Sequence, residues 1–145
     1  MPRLTNRGRS ISIAGLALFV VLAMAAIAPA GTPVNGARYS GDVKTTATLT
    51  VSFKVSKTGK KIKGLRITPT IPNSCGYGGP VPTETSKPSP IADGKFEATV
   101  KLSSGEKAKV HGKFVSHHRE RGTIDSTNPA SPSCYGTFQY STKPQ

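Results

Sequence analysis

Hydrophobic and polar residues alternate along several short stretches of this chain. Residues 49–55 carry hydrophobic side chains at the odd positions and Thr, Ser or Lys at the even positions between them. A period of two places successive side chains on opposite faces of an extended strand. The same alternation returns in three later stretches, at residues 96–102, 108–114 and 134–140. The pattern predicts β-strands with one buried and one exposed face.

Turn residues separate these strands. Gly59 ends the first stretch, Asp93-Gly94 precedes the second, and Ser103–Glu106 lies between the second and the third. Turns of this kind join antiparallel strands into hairpins. The strand after Gly59 changes phase at Gly64, which predicts a β-bulge. We expect an all-β fold, an antiparallel β-sandwich of about seven or eight short strands over residues 39–145.

The first thirty residues have the pattern of an export signal. Three arginines precede the apolar run Ile11–Ile27, and Ala28-Pro29-Ala30 follows it. These parts predict a helical signal peptide over residues 1–30 that is cleaved after Ala30. The apolar run also reaches the lower limit of a membrane-spanning helix, so a retained N-terminal membrane anchor stays open. We expect residues 31–38 to be a linker and the domain to be secreted or held at the cell surface.

Cys75 and Cys134 are the only cysteines in the chain. In an oxidising compartment an isolated pair forms a disulfide, and only one connectivity is possible. The predicted bridge would tie down Pro72–Pro90, a segment whose prolines forbid a central strand. Two free thiols remain the alternative. The chain has no C-x-x-C pair, and a zinc site is not expected.

Two tyrosines lie within two residues of these cysteines. Tyr77 follows Cys75 and Tyr135 follows Cys134, so the predicted disulfide would bring the two rings close together. Such a pair offers rigid area and a polar tip to a sugar or a peptide, and covering the disulfide is the alternative role. The long Pro72–Pro90 loop is a second candidate site. It would bind an extracellular protein, as in a small inhibitor of a secreted hydrolase.

The chain is strongly basic. It has 20 Lys and Arg against 7 Asp and Glu, a net charge of +13, and removal of residues 1–30 takes away three arginines and leaves +10. Many lysines occupy outward strand positions, and we take Lys107, Lys109 and Lys113 as candidate binding residues. Such a surface attracts polyanions, here an anionic wall polymer or glycan, although a solvated sheet face is the plainer explanation. Specific nucleic-acid binding is not expected, because aromatic residues are not interleaved with the basic ones.

No set of residues in the sequence carries a recognisable reaction. His117 and His118 lie in a turn beside arginines and His111 stands alone on a strand, so no metal site is expected. The acidic residues show no pairing suited to sugar hydrolysis, and no G-x-S-x-G motif is present. We therefore predict a non-catalytic binding module without a cofactor. The sequence does not indicate an oligomeric state.

Short motifs along the domain resemble a known group of proteins. They are Tyr39-Ser40-Gly41, the hairpin segment 51–62, the segments 91–96 and 110–114, and Arg121–Ile124 ahead of the strand that carries Cys134. Together they are similar to small exported β-sandwich proteins of high-GC Gram-positive bacteria, which have a Y-x-G start, G-K-F hairpins and paired cysteines. The resemblance implies a sandwich and a disulfide, and it names no catalytic residue. Members often carry a tryptophan in the last strand, where this chain has Tyr140.

Overall fold

The computed structural model describes residues 31–45, 49–68, 71, 74, 84–85, 87–101, 105–128 and 131–145. The strands in this part of the chain are β1 Arg38–Asp42, β2 Thr50–Val55, β3 Lys61–Thr68, β4 Glu84–Thr85, β5 Ser89–Pro90, β6 Lys95–Lys101, β7 Lys107–Ser116, β8 Arg119–Asn128 and β9 Ser131–Pro144. The same residues include no helix, and so none with the length and apolar character to cross a membrane. The predicted signal peptide, residues 1–30, lies outside the described residues.

The strands form one antiparallel sheet in the order β4-β6-β7-β8-β9-β1-β2-β3-β5. The longest strand, β9, pairs with β8 along most of its length and reaches β1 near its own end, where Pro144 lies opposite Tyr39. The two ends of the sheet approach each other, because β3 contacts β4 and β6, and β5 contacts β6. The sheet is therefore a nearly closed barrel.

The predicted all-β, antiparallel architecture is confirmed. The predicted sandwich is not, because the described strands form one continuous sheet rather than two packed sheets. The strand responsible is β1, which pairs with β2 on one side and with β9 on the other and so joins the two halves. Alternation along each strand cannot separate these architectures, since a sandwich and a small barrel both bury one face of every strand.

The interior is filled by the hydrophobic positions that the alternation predicts. Buried and exposed residues alternate along β6 and through most of β7. Four rings from β1, β2, β6 and β7 pack together, and we call Tyr39, Phe53, Phe96 and Phe114 the aromatic cluster. Tyr39 stacks on Phe53 with ring centroids 5.4 Å apart, and Phe114 meets Tyr39 edge-on at 5.3 Å. Phe96 meets Phe53 edge-on at 5.2 Å, so the cluster joins opposite walls of the barrel.

The predicted β-bulge at Gly64 is present. The register between β2 and β3 shifts between Ser52 and Lys54, and Gly64 has a φ of 59°, a left-handed conformation that favours glycine. The extra residue lets Ile62 and Leu65 both point into the barrel. It also leaves Lys63 exposed on the outer surface.

The segment before β1, which the sequence predicts as a linker, lies against the barrel. The Gly31 amide donates to the Phe114 carbonyl over 2.7 Å, and the Val55 amide donates to the Ala37 carbonyl over 2.9 Å. A side chain at position 31 would collide with the backbone of Ser116. The contacts of the folded domain therefore extend back to the residue that follows the predicted cleavage site.

Candidate functional site

Three turns lie together at one end of the barrel. They are the β2–β3 hairpin turn, the turn before β6 and the β7–β8 turn. Three hydrogen bonds of 2.8 Å connect these turns to neighbouring segments. They run from the Phe114 amide to the Gly94 carbonyl, from the Ile91 amide to the Lys60 carbonyl, and from the Tyr39 hydroxyl to the His117 carbonyl. The strand segments next to these turns therefore surround the same end, and their outward side chains share one surface.

Two rows of basic side chains cross these segments. In the first row, Arg38 of β1 lies opposite Lys54 of β2, which lies opposite Lys63 of β3. In the second row, Lys95 of β6 lies opposite Lys113 of β7, which lies opposite Arg121 of β8. All six side chains are exposed. Each row therefore holds three positive charges that lie directly opposite one another on neighbouring strands.

Short elements connect the two rows. Lys61 of β3 lies opposite Pro90 of β5, and Ala92, two residues further along the chain, bridges to Lys95. A path of basic residues thus runs around the end of the barrel from β1 to β8. We call this surface the basic belt, and it consists of Arg38, Lys54, Lys61, Lys63, Lys95, Lys113 and Arg121.

The basic belt places like charges side by side. Within the described part of the chain, no ion pair joins a belt residue to an aspartate or a glutamate. Like charges placed directly opposite each other on a sheet destabilise it. The two rows therefore cost the fold some stability, and a bound anion would offset that cost.

The basic belt and the aromatic cluster occupy opposite sides of the same strand segments. Arg38 precedes Tyr39, Lys54 follows Phe53, Lys95 precedes Phe96 and Lys113 precedes Phe114. Since successive residues of a strand point to opposite faces, each inward ring fixes an outward cation beside it. The backbone that carries the belt is thus held by the best-packed part of the core.

One end of the basic belt borders a cleft on the outside of β1–β3. The cleft measures about 420 Å³. Four of its lining residues are basic, namely Arg38, Lys54, Lys63 and Arg66, and none is acidic. The β-bulge at Gly64 helps to form it, because it places Lys63 and Gly64 together on the outer surface. A cleft of this composition suits an anionic group.

The structure divides the three lysines that the sequence singles out. Lys107, Lys109 and Lys113 all lie exposed on the outside of β7. Lys113 belongs to the basic belt, whereas Lys107 lies opposite Lys101 and Lys109 lies opposite Asp125, further from the belt end. Sequence reasoning missed Arg38, Lys95 and Arg121 as members of one surface. A usable signal was present for the first two, because each precedes an inward aromatic residue.

The predicted disulfide lies only partly within the described residues. Cys134 is buried in β9, and Tyr135 beside it has 66% of its surface exposed. The Ser74 hydroxyl donates to the Ser133 carbonyl over 3.2 Å and accepts from the Tyr135 amide over 2.8 Å. Cys75 and Tyr77 lie outside the described residues, as does much of the Pro72–Pro90 loop. The disulfide, the tyrosine pair and the loop as a protein-binding site therefore stay predictions.

A second polar cluster lies on the outer face of β6, β7 and β8. The His111 Nδ1 atom is 3.5 Å from a Glu97 carboxylate oxygen, and its Nε2 atom is 3.5 Å from an Asp125 carboxylate oxygen. Asp125 also accepts a hydrogen bond of 2.8 Å from the Thr137 hydroxyl. No group of three residues with metal-binding geometry is present in the described part of the chain. The cluster is a row of oriented hydrogen-bonding groups.

Glu120 lies inside the barrel, although it stands between two arginines in the sequence. Its side chain is fully buried, and its carboxylate accepts hydrogen bonds of 2.8 Å from the Tyr140 hydroxyl and 2.7 Å from the Thr142 hydroxyl. Burial raises the pKa of Glu120 from 4.5 to about 7. These two hydrogen bonds and a third from the Lys113 backbone favour the charged form and lower the pKa, but by less than burial raises it. A carboxyl group without exposed surface cannot meet a ligand from solvent, so Glu120 is a structural group.

Comparisons with known proteins give no relative of this chain. No family model matches it, and neither a curated protein nor a solved structure does. The basic belt and its surroundings are therefore the observations on which a function can be proposed.

Proposed function

We propose that this protein is an exported, non-catalytic β-module that binds anionic polymers at the cell surface through the basic belt. The observation that carries the proposal is the pair of cationic rows, Arg38–Lys54–Lys63 and Lys95–Lys113–Arg121, with no acidic partner in the described residues. Wall polymers and acidic glycans repeat a negative group along their length. A polymer of this kind could contact both rows by following the belt around the barrel.

Distances within the basic belt favour cooperation between its charges. Side chains directly opposite each other on neighbouring strands have Cβ atoms about 5 Å apart. Exposed charges are screened over about 8 Å at physiological ionic strength. Neighbouring belt residues therefore add to one another's field, whereas a lysine at the other end of β7 adds little. Binding through the belt should weaken as ionic strength rises.

Charge reversal within the basic belt is expected to weaken polyanion binding. In the triple variant Lys54→Glu, Lys63→Glu and Lys113→Glu, affinity for polyphosphate or polygalacturonate should fall at least about tenfold, since each exposed ion pair contributes up to about 1 kcal/mol. Titration calorimetry at two salt concentrations measures the loss. The wild-type affinity should itself decrease at the higher concentration.

The matched control reverses the same number of charges outside the belt. In Lys101→Glu, Lys107→Glu and Lys109→Glu, the net charge changes equally, and all three residues are exposed on β6 or β7. We expect a loss of less than about threefold, because these residues lie more than a screening length from most of the belt. Equal losses in both triple variants would mean that net charge alone attracts the polymer, and the belt would not be its site.

Export is part of the proposal. Residues 1–30 carry the signal pattern, and Gly31, the residue after the predicted cleavage site, donates a hydrogen bond to Phe114 in the barrel. We expect the protein in culture supernatant to begin at Gly31, and intact-mass measurement tests this. Recovery of the full-length chain from membranes alone would instead support the N-terminal anchor.

We also propose a disulfide between Cys75 and Cys134. Ser74, the residue before Cys75, forms hydrogen bonds with both residues that flank Cys134 and therefore lies close to β9. The exported protein should be lighter than the dithiol by the mass of two hydrogens, since one S–S bond replaces two thiols. Labelling of both cysteines by a thiol reagent in the native protein would contradict the proposal.

A further inference from the structure

A groove crosses the outer face of β6, β7 and β8 beside the second row of the basic belt. It measures about 560 Å³, within the usual size range of small-ligand sites. One wall carries Lys95, Lys113 and Arg121, and the opposite wall carries Glu97, His111 and Thr123. The groove thus has a cationic side and a side with hydrogen-bond acceptors.

Two glycines line the groove between these walls. Gly112 and Gly122 lie opposite each other in the register of β7 and β8. At both positions a Cβ atom would point into the barrel, towards the buried Phe96 ring at position 112 and the buried Tyr140 ring at position 122, and not into the groove. The floor between the walls is therefore bare backbone. The walls are two residues apart along each strand, about 7 Å.

The acceptor wall is held in place by its own contacts. His111 lies between the carboxylates of Glu97 and Asp125, at 3.5 Å from an oxygen of each, and the Thr137 hydroxyl orients Asp125. The Glu97 side chain nevertheless keeps 59% of its surface exposed, so its carboxylate can still accept hydrogen bonds from a ligand. Its negative charge opposes a plain anion in the same groove.

The two walls together select a ligand with two kinds of group. Lysine and arginine side chains bind a carboxylate by charge-assisted hydrogen bonds. The acceptor wall accepts hydrogen bonds from hydroxyl groups of the same ligand. The two walls are about 7 Å apart, a separation comparable to one sugar ring with its substituents. We propose that this groove binds a uronic acid unit of an acidic glycan, with the sugar carboxylate on the cationic wall and its hydroxyls on Glu97 and Thr123. The inference rests on the proposed function, because the cationic wall is part of the basic belt.

Three small probes test the two walls separately. Trigalacturonate carries carboxylates and hydroxyls, its methyl ester carries hydroxyls without the charge, and tripolyphosphate carries charge without hydroxyls. Calorimetry with the purified protein should show trigalacturonate binding about tenfold more tightly than the ester, since the ester cannot form charge-assisted hydrogen bonds with the cationic wall. Arg121→Gln should weaken the binding of both anions.

The variant Glu97→Gln distinguishes two roles of Glu97, binding of sugar hydroxyls and repulsion of anions, because they change the affinity for trigalacturonate in opposite directions. If the acceptor wall holds sugar hydroxyls, this variant should bind trigalacturonate about five- to tenfold more weakly and tripolyphosphate equally or more tightly. Asp42→Asn removes an equal charge from an exposed position on β1 and should change neither affinity. The melting temperature of each variant checks that the fold is retained.

Two results would overturn the inference. If Glu97→Gln tightens trigalacturonate and tripolyphosphate alike, Glu97 only repels anions and no sugar hydroxyl contacts it. If tripolyphosphate binds and trigalacturonate does not, the basic belt is a plain anion surface, and the proposed function stands without the groove. Absence of binding by every anionic probe, including the long polymers, would remove the proposed function as well.

Discussion

Truncation of Phe114 to alanine is expected to lower the free energy of unfolding by about 3–5 kcal/mol, the usual loss for a buried phenylalanine. Phe114 is fully buried, and its ring contacts Tyr39 at 5.3 Å, Phe96 at 6.0 Å and Phe53 at 6.2 Å between centroids. These partners come from both halves of the barrel. The variant should therefore lose aromatic contacts in addition to buried area, and denaturant unfolding measures the loss.

The neighbouring residue supplies the control. Val115 keeps 43% of its surface exposed, so Val115→Ala should change the stability by no more than about 0.5 kcal/mol. A small effect of Phe114→Ala, close to that of the control, would mean that the aromatic cluster does not hold the two halves together. The barrel closure described above would then need a different source of stability.

The alternation of hydrophobic and polar residues predicts which face of each strand is buried. In β2 and β7 the inward positions, among them Val51, Phe53, Val110 and Phe114, are buried as the pattern indicates. This succeeds because a shift of one residue would expose every hydrophobic side chain of a strand, so the pattern fixes the face. The bulge at Gly64 follows from the same physics, since the phase of the hydrophobic positions changes there.

Closure of the sheet could not be predicted in this way. It depends on the pairing of β1 with β9, in which Ser40 lies opposite Lys143 at the far end of the chain. Local periodicity contains no information on which distant strands are neighbours. A two-sheet sandwich and a barrel therefore give the same alternation, and only the pairing of β1 on both sides distinguishes them.

The same limit applies to the basic belt. The sequence indicates that Lys54 and Lys113 point outward, but not that their strands surround the same end of a barrel. The order of strands decides this, and it separates Lys113 from Lys107 while it brings Arg121 next to Lys113. The local sequence indicates the belt at four positions, where a basic residue stands directly beside an inward aromatic residue.

The burial of Glu120 is not evident from the sequence, and the reason is physical. A glutamate between two arginines ordinarily lies in solvent, because burying a charge is costly. Here the partners that satisfy the carboxylate are Tyr140 and Thr142, and they lie on β9, about twenty residues further along the chain. Gly112 provides the room, since a side chain at that position would approach the Glu120 carboxylate. None of these contacts is local in sequence.

Raising the pH from 5 to 8 is expected to lower the contribution of Glu120 to the free energy of unfolding by about 2–3 kcal/mol. The pKa of Glu120 is 4.5 in the unfolded chain and about 7 in the fold, where burial disfavours the charged form. A raised pKa means that the folded state holds the proton more tightly. This stabilisation is fully present below pH 4.5 and is lost as the pH rises through about 7.

The titratable side chains that interact with Glu120 inside the barrel are two tyrosines with raised pKa values. Tyr140 on β9 has a pKa well above 10, because burial and the nearby Glu120 charge disfavour its ionised form. Burial likewise raises the pKa of Tyr39 on β1. Lys113 on β7 approaches Glu120 through its backbone, and its side chain belongs to the exposed basic belt. A pH effect on this network can therefore be assigned to the Glu120 carboxyl.

The variant Glu120→Gln isolates this effect. Glutamine keeps the shape of the protonated carboxyl and does not titrate, so the stability of the variant should stay nearly flat where the wild type loses its 2–3 kcal/mol. Denaturant unfolding at pH 5, 6, 7 and 8 on both proteins gives the difference, in which the titration of exposed groups cancels. Parallel pH profiles would contradict the prediction. A wild type that gains stability relative to the variant as the pH rises would show instead that the hydrogen bonds from Tyr140, Thr142 and the Lys113 backbone outweigh burial and favour a charged Glu120.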